Sequence, residues 1–100
     1  MTPPSGDFSI GSKVWPGTSK VIEEMGELQQ VLGKLIGSRG QVQHFDGSNL
    51  RERLVEEIAD LEAALQFFQK VNLSASERER IAARCKQKVA LFKKWQRGEP

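Results

Sequence analysis

Two groups of carboxylates have the types and spacing to do chemistry. Glu23, Glu24 and Glu27 form the first, and Glu56, Glu57 and Asp60 the second. Both lie in segments with helical apolar periodicity. At about 100° per residue, Glu24 and Glu27 fall roughly 70° and 130° to one side of their stripe. Glu57 and Asp60 fall roughly 60° and 120° from theirs, in the same rotational sense. In an antiparallel helix pair, flanks of the same sense face each other. The four carboxylates therefore converge along one edge of a hairpin. A solvated acidic face is the plain alternative, and it normally carries cations one turn on. Here those positions hold Leu28, Val31, Leu61 and Ala64. Unbalanced like charges repel, and a hard divalent cation held by oxygen ligands would offset them. Glu23 lies opposite the stripe and ranks below the four.

The other polar candidates each have two readings. Lys88 falls inside the apolar stripe of a later helix, with Arg84 at its edge; the pair either receives phosphate charge or, for Lys88, snorkels from the stripe. Trp15 either stacks on a base or staples the N-terminal arm. His44 sits in a long loop and offers a phosphate or base contact, but one histidine supports no metal site. Lys20, one turn before Glu24, either contacts phosphate or pairs with Glu23 or Glu24 on the surface. Cys85 on the third stripe reads as inert core.

The elements that must position these residues are three helices. Residues 1–17, with three prolines and three glycines, read as an arm; residues 18–100 read as one domain. The first helix is expected from Thr18 or Ser19, as N-cap candidates, to Ile36, with Gly37 as the stop. Val21, Ile22, Met25, Leu28, Leu32, Leu35 and Ile36 form its stripe. Residues 37–49 make a long loop. A second helix runs from near Leu50 to Val71, with Asn49 and Glu52 resembling a capping box. Leu54, Ile58, Leu61, Leu65 and Phe68 are its stripe. The third begins at Ser74 and Glu77, a full capping-box pattern, and ends at Gly98 and Pro100. Ile81, Cys85, Val89, Phe92 and Trp95 are its expected buried face. Gly26 and Gly33 share one face of the first helix, where each costs about 1 kcal/mol relative to alanine; close approach by another helix is the expected return. The fold class is all-α, a small bundle with an acidic antiparallel hairpin and a basic third helix, completed by oligomerisation.

Composition narrows the function classes. The chain has 100 residues, 38% apolar and 28% charged, with a net charge of +2. Residues 1–73 carry 7 Lys/Arg against 10 Asp/Glu, and residues 74–100 carry 8 against 3. An acidic block followed by a basic segment disfavours nucleic acid, which selects a continuous basic face. No apolar run reaches the ~18 residues of a membrane span, and residues 1–5 lack a signal-peptide pattern. A single cysteine excludes an internal disulfide framework and a cysteine-based zinc site. A cytoplasmic setting is expected.

The pattern Glu23-Glu24-Met25-Gly26-Glu27, followed a helix later by Glu57-Ile58-Ala59-Asp60, resembles the EExxE…ExxD signature of MazG-like nucleoside triphosphate pyrophosphohydrolases. Segments 20–28 and 56–61 extend the likeness, which covers residues 15–97. The segment His44-Phe45-Asp46-Gly47 is similar to one in small phage-type members. The resemblance implies cleavage of nucleoside triphosphates between the α and β phosphates, releasing the monophosphate and pyrophosphate. It implies Mg²⁺, with Mn²⁺ as the alternative, held by Glu24, Glu27, Glu57 and Asp60, with Glu23 as a further candidate. The alternative role for one of these carboxylates is to hold and deprotonate the attacking water. It also implies a dimer or a dimer of dimers. Two other readings stay open: a non-catalytic helical module that docks a basic partner on its acidic edge, and a phosphoribosyl-ATP pyrophosphatase.

Overall fold

The computed structural model describes residues 7–43, 47 and 49–100. The chain is all-helical: α1 spans Thr18–Gly37, α2 Leu50–Asn72 and α3 Ala75–Gln96. Among the described residues the only β pairing is the single bridge between Gln43 and Asn49.

Local chemistry explains each helix start. At α2 the Asn49 side chain accepts from the Glu52 amide at 3.1 Å. At α3 the capping box closes in both directions, with Ser74 Oγ accepting from the Glu77 amide and Glu77 Oε1 from the Ser74 amide. Helix α1 begins at Thr18 as expected, but its cap differs. Its N-cap is Gly17, at φ +93°, rather than Thr18 or Ser19. The Thr18 hydroxyl instead donates to the Trp15 carbonyl at 2.7 Å. The chain enters the helix through a left-handed residue pressed against α2, a conformation that glycine adopts without penalty.

The arm is tied down at this corner. Gly17 N donates to Ser9 O and Ser19 N to Phe8 O, at 3.0 and 2.9 Å. From the end of α2, Asn72 Nδ2 donates to the Pro16 carbonyl at 2.9 Å. The Trp15 ring stacks on Phe68, with 6.2 Å between centroids and 14° between planes. At the other end of the hairpin, the loop is drawn in by Leu50 N donating to Val42 O at 2.6 Å.

Helices α1 and α2 pack against each other as the expected antiparallel hairpin. Val31 and Leu50 are fully buried between them, with Ala64 and the side chain of Glu24 nearly so. The single apolar stripe read for α1 is corrected here. Leu28, Val31 and Leu35 turn inward, while Ile22, Met25, Leu32 and Ile36 face away from α2 and remain exposed. One neighbouring helix covers only a narrow arc, and the acidic edge lies inside that arc. A methyl group at Gly26 or Gly33 would meet nothing within 4 Å, so no other helix of the same chain approaches either glycine.

The expected buried face of α3 is likewise corrected. No residue of α3 is buried, and Ile81, Val89, Phe92 and Trp95 stay exposed, as does Cys85. The helix leaves the hairpin at the Leu73–Ser74 corner instead of folding over it. The radius of gyration is 17.2 Å, against about 13 Å for a compact domain of this length. No helix among the described residues is long and apolar enough to cross a membrane.

Candidate metal centre

The hairpin brings together the four carboxylates whose convergence the helical angles anticipate. Glu24 and Glu27 sit three residues apart on α1, Glu57 and Asp60 three apart on α2, so each pair lies on one helix face. One oxygen from each of the four lies within 4.8 Å of all the others. Exposure grades across the group: Glu24 is buried, Glu27 and Glu57 are half-buried, and Asp60 is exposed at the mouth. Small and apolar side chains at the helix contact, Val31 and Ala64 among them, let the backbones carry the acids this close.

The electrostatics match the crowding. Burial raises the pKa of Glu24, and a hydrogen bond with Glu27 and the charges of Glu27 and Asp60 add to it, against a smaller opposing pull from Lys20. Glu57 is raised by the same causes in the same order, with Arg53 as its weak counterweight. Carboxylates pushed together and partly desolvated hold protons more tightly. Glu57 Oε2 is buried without a hydrogen-bond partner. Such an atom is costly unless something cationic or donating reaches it. An all-oxygen donor set with one orphaned buried oxygen suits a hard divalent cation such as Mg²⁺.

A cleft of about 270 Å³ adjoins the cluster, lined by Lys20, Glu24 and Asp60 on one side and by Ile10, Ala63, Ala64 and Phe67 on the other. Ile10, Ala63 and Phe67 were not candidates in the sequence. A signal for two of them existed, since Ala63 and Phe67 follow Asp60 by three and seven residues and so share its face. Ile10 reaches the cleft only because the arm is anchored to α2, which no periodicity announces.

The remaining candidates are placed as follows. Lys20 Nζ pairs with Glu23 at 3.4 Å, both exposed, and stands on the rim of the cleft. Glu23 lies outside the cluster. Trp15 uses one ring face on Phe68. Arg84 and Lys88 line an open groove on α3 and not the acidic cleft, and Lys88 Nζ lies 5.2 Å over the Phe92 ring. His44 lies outside the described residues, as do Phe45 and Asp46. Compared with family models, curated proteins and solved structures, the chain matches none.

Proposed function

We propose that this chain is a Mg²⁺-dependent nucleotide pyrophosphohydrolase that cleaves (d)NTPs between the α and β phosphates. The observation that carries the reading is the four-carboxylate cluster with its orphaned Glu57 oxygen. The MazG-like pattern of the same four positions supports it. Glu24, Glu27, Glu57 and Asp60 would hold the ion. Bound there, Mg²⁺ would neutralise the cluster and draw charge from the phosphate oxygens of the substrate. The chain's own groups supply the rest. One of the four carboxylates, where it does not bind the ion, would instead hold the attacking water and take its proton as it attacks phosphorus. Lys20 on the rim faces the polyphosphate charge. The wall of Ile10, Ala63, Ala64 and Phe67 takes the apolar surface of the nucleoside. Self-association, as a dimer or a dimer of dimers, belongs to the same reading, because the apolar faces of α1 and α3 are uncovered.

The test is product analysis with canonical and modified (d)NTPs and phosphoribosyl-ATP. Monophosphate and pyrophosphate are expected in equal amounts with Mg²⁺, and neither with a chelator. Preference for phosphoribosyl-ATP moves the substrate within the same chemistry. No pyrophosphate from any of them overturns the reading and leaves the acidic edge as a docking surface.

A further inference from the structure

Two exposed seams on this chain have the same length and matching spacing. On α1, Ile22, Met25, Gln29, Leu32 and Ile36 follow one another by three, four, three and four residues, on the face away from α2. On α3, Ile81, Cys85, Lys88, Phe92 and Trp95 follow by four, three, four and three. Each is a heptad seam of the kind that packs knobs into holes, about 21 Å long at 1.5 Å per residue. The large apolar members are 38% to 80% exposed, and Cys85 is exposed with them.

We infer that α3 of one copy of this chain packs antiparallel on the outer seam of α1 of a second copy, placing Lys88 beside Gln29. Direction follows from the spacing taken together with the places of Gln29 and Lys88. Read backwards from Trp95, the α3 seam steps by three, four, three and four, the same as α1 read forwards. An antiparallel pair therefore aligns all five levels: Ile22 with Trp95, Met25 with Phe92, Gln29 with Lys88, Leu32 with Cys85, and Ile36 with Ile81. A parallel pair aligns only four levels, and either of its registers sets Lys88 against an apolar residue, Met25 or Leu32, and Gln29 against Phe92 or Cys85. The one polar residue of each seam falls at the middle level of both, where the Lys88 ammonium can donate to the Gln29 amide oxygen. An unpaired polar group at either place would cost stability; paired, the two fix register.

The occupant is a second copy because the same chain cannot supply this contact. Glu24 lies beside Asp60 and Glu27 beside Glu57, so α1 and α2 are antiparallel. Only Leu73 and Ser74 separate α2 from α3. A third helix folded back from that corner would run antiparallel to α2 and hence parallel to α1, the wrong direction for the seam. Charge agrees. Helix α3 carries seven Lys/Arg against two Asp/Glu, while α1 and α2 together carry five against eight. Gly26, open beside the Met25 level of the α1 seam, allows Phe92 to approach closely, and Gly33 leaves the same room beside the Leu32 level. Two copies exchanging α3 cover both seams in each.

This inference deepens the self-association proposed above and is read by mass alone, apart from pyrophosphate release. Sedimentation equilibrium of the full chain is the measurement, with circular dichroism checking that each variant stays helical. Gln29→Lys sets two ammonium groups together and is expected to weaken dimerisation about tenfold or more. Gln29→Lys combined with Lys88→Glu restores opposite charges, and association should return to within about threefold of the parent. Under mild oxidation, Leu32→Cys should give a covalent dimer through Cys85, and Met25→Cys should not. A dimer that neither weakens with Gln29→Lys nor recovers in the double variant overturns the pairing. A concentration-independent monomer overturns the second copy as occupant.

Discussion

Glu57 contributes two oxygens to a crowded edge, and one of them is buried with no partner. Glu57→Gln removes a charge while keeping the shape of the side chain. In metal-free buffer the variant should melt at or above the parent, because repulsion with Glu27 and Asp60 is relieved. Mg²⁺ should raise the parent's melting point by mass action and the variant's much less. Equal magnesium responses in thermal melts would remove Glu57 from the centre. The raised pKa values of Glu24 and Glu57 give a second expectation. Their folded-state values lie above the unfolded ones, so the folded state binds more protons in that range. The metal-free stability contributed by Glu24 and Glu57 is then greatest below the ordinary carboxylate range and is lost as pH rises through the raised values. Asp7, Glu77 and Glu99, whose values are lowered, contribute with the opposite sign. Melts in chelator between about pH 4 and pH 8 should show this decline, and Mg²⁺ should flatten it. A Glu57→Gln variant whose metal-free stability changes with pH just as the parent's does sinks the idea. The identity of the four acids was legible from spacing and from the cations missing one turn on. Their grading from buried Glu24 to exposed Asp60 was not, because burial depends on how closely the backbones approach.

Caps made the elements legible. Asn49 and the Ser74–Glu77 box are local signals, and both helices start where those residues say. The N-cap of α1 was misjudged because its determinant is tertiary, although the helix begins at Thr18 as expected. Gly17 takes a left-handed conformation to bring the arm against α2, and a methyl group on it would lie 3.0 Å from the Phe67 ring. Gly17→Ala should therefore destabilise the protein by about 1–2 kcal/mol from backbone strain alone, with the ring contact adding to it. Urea unfolding measures the loss. An alanine variant as stable as the parent would mean that the corner is not held as described. The same corner carries Ile10 to the cleft, so the variant also probes whether the arm contributes to the site.

At the scale of the whole molecule, the sequence announced more apolar surface than a hairpin and one helix can bury, and the structure bears this out with two uncovered faces. What the pattern could not say was which surface covers which. A heptad seam looks the same whether its partner is in the chain or in another copy. Only the two-residue corner after α2, with the antiparallel run of α1, separates the cases. If association covers these faces, as proposed, the protein owes part of its stability to its own concentration. Diluting a folded dimer a hundredfold reduces its stability toward unfolded monomers by about 2.8 kcal/mol. The melting midpoint should therefore fall by several degrees over that dilution in metal-free buffer. The metal contribution cannot imitate this trend, because a bound cation shifts the midpoint with its own concentration and not with that of the protein. Melts at two protein concentrations, each with and without Mg²⁺, separate the two effects. A midpoint unmoved by dilution in both buffers would show that each chain folds by itself, with α1 and α3 exposed to water.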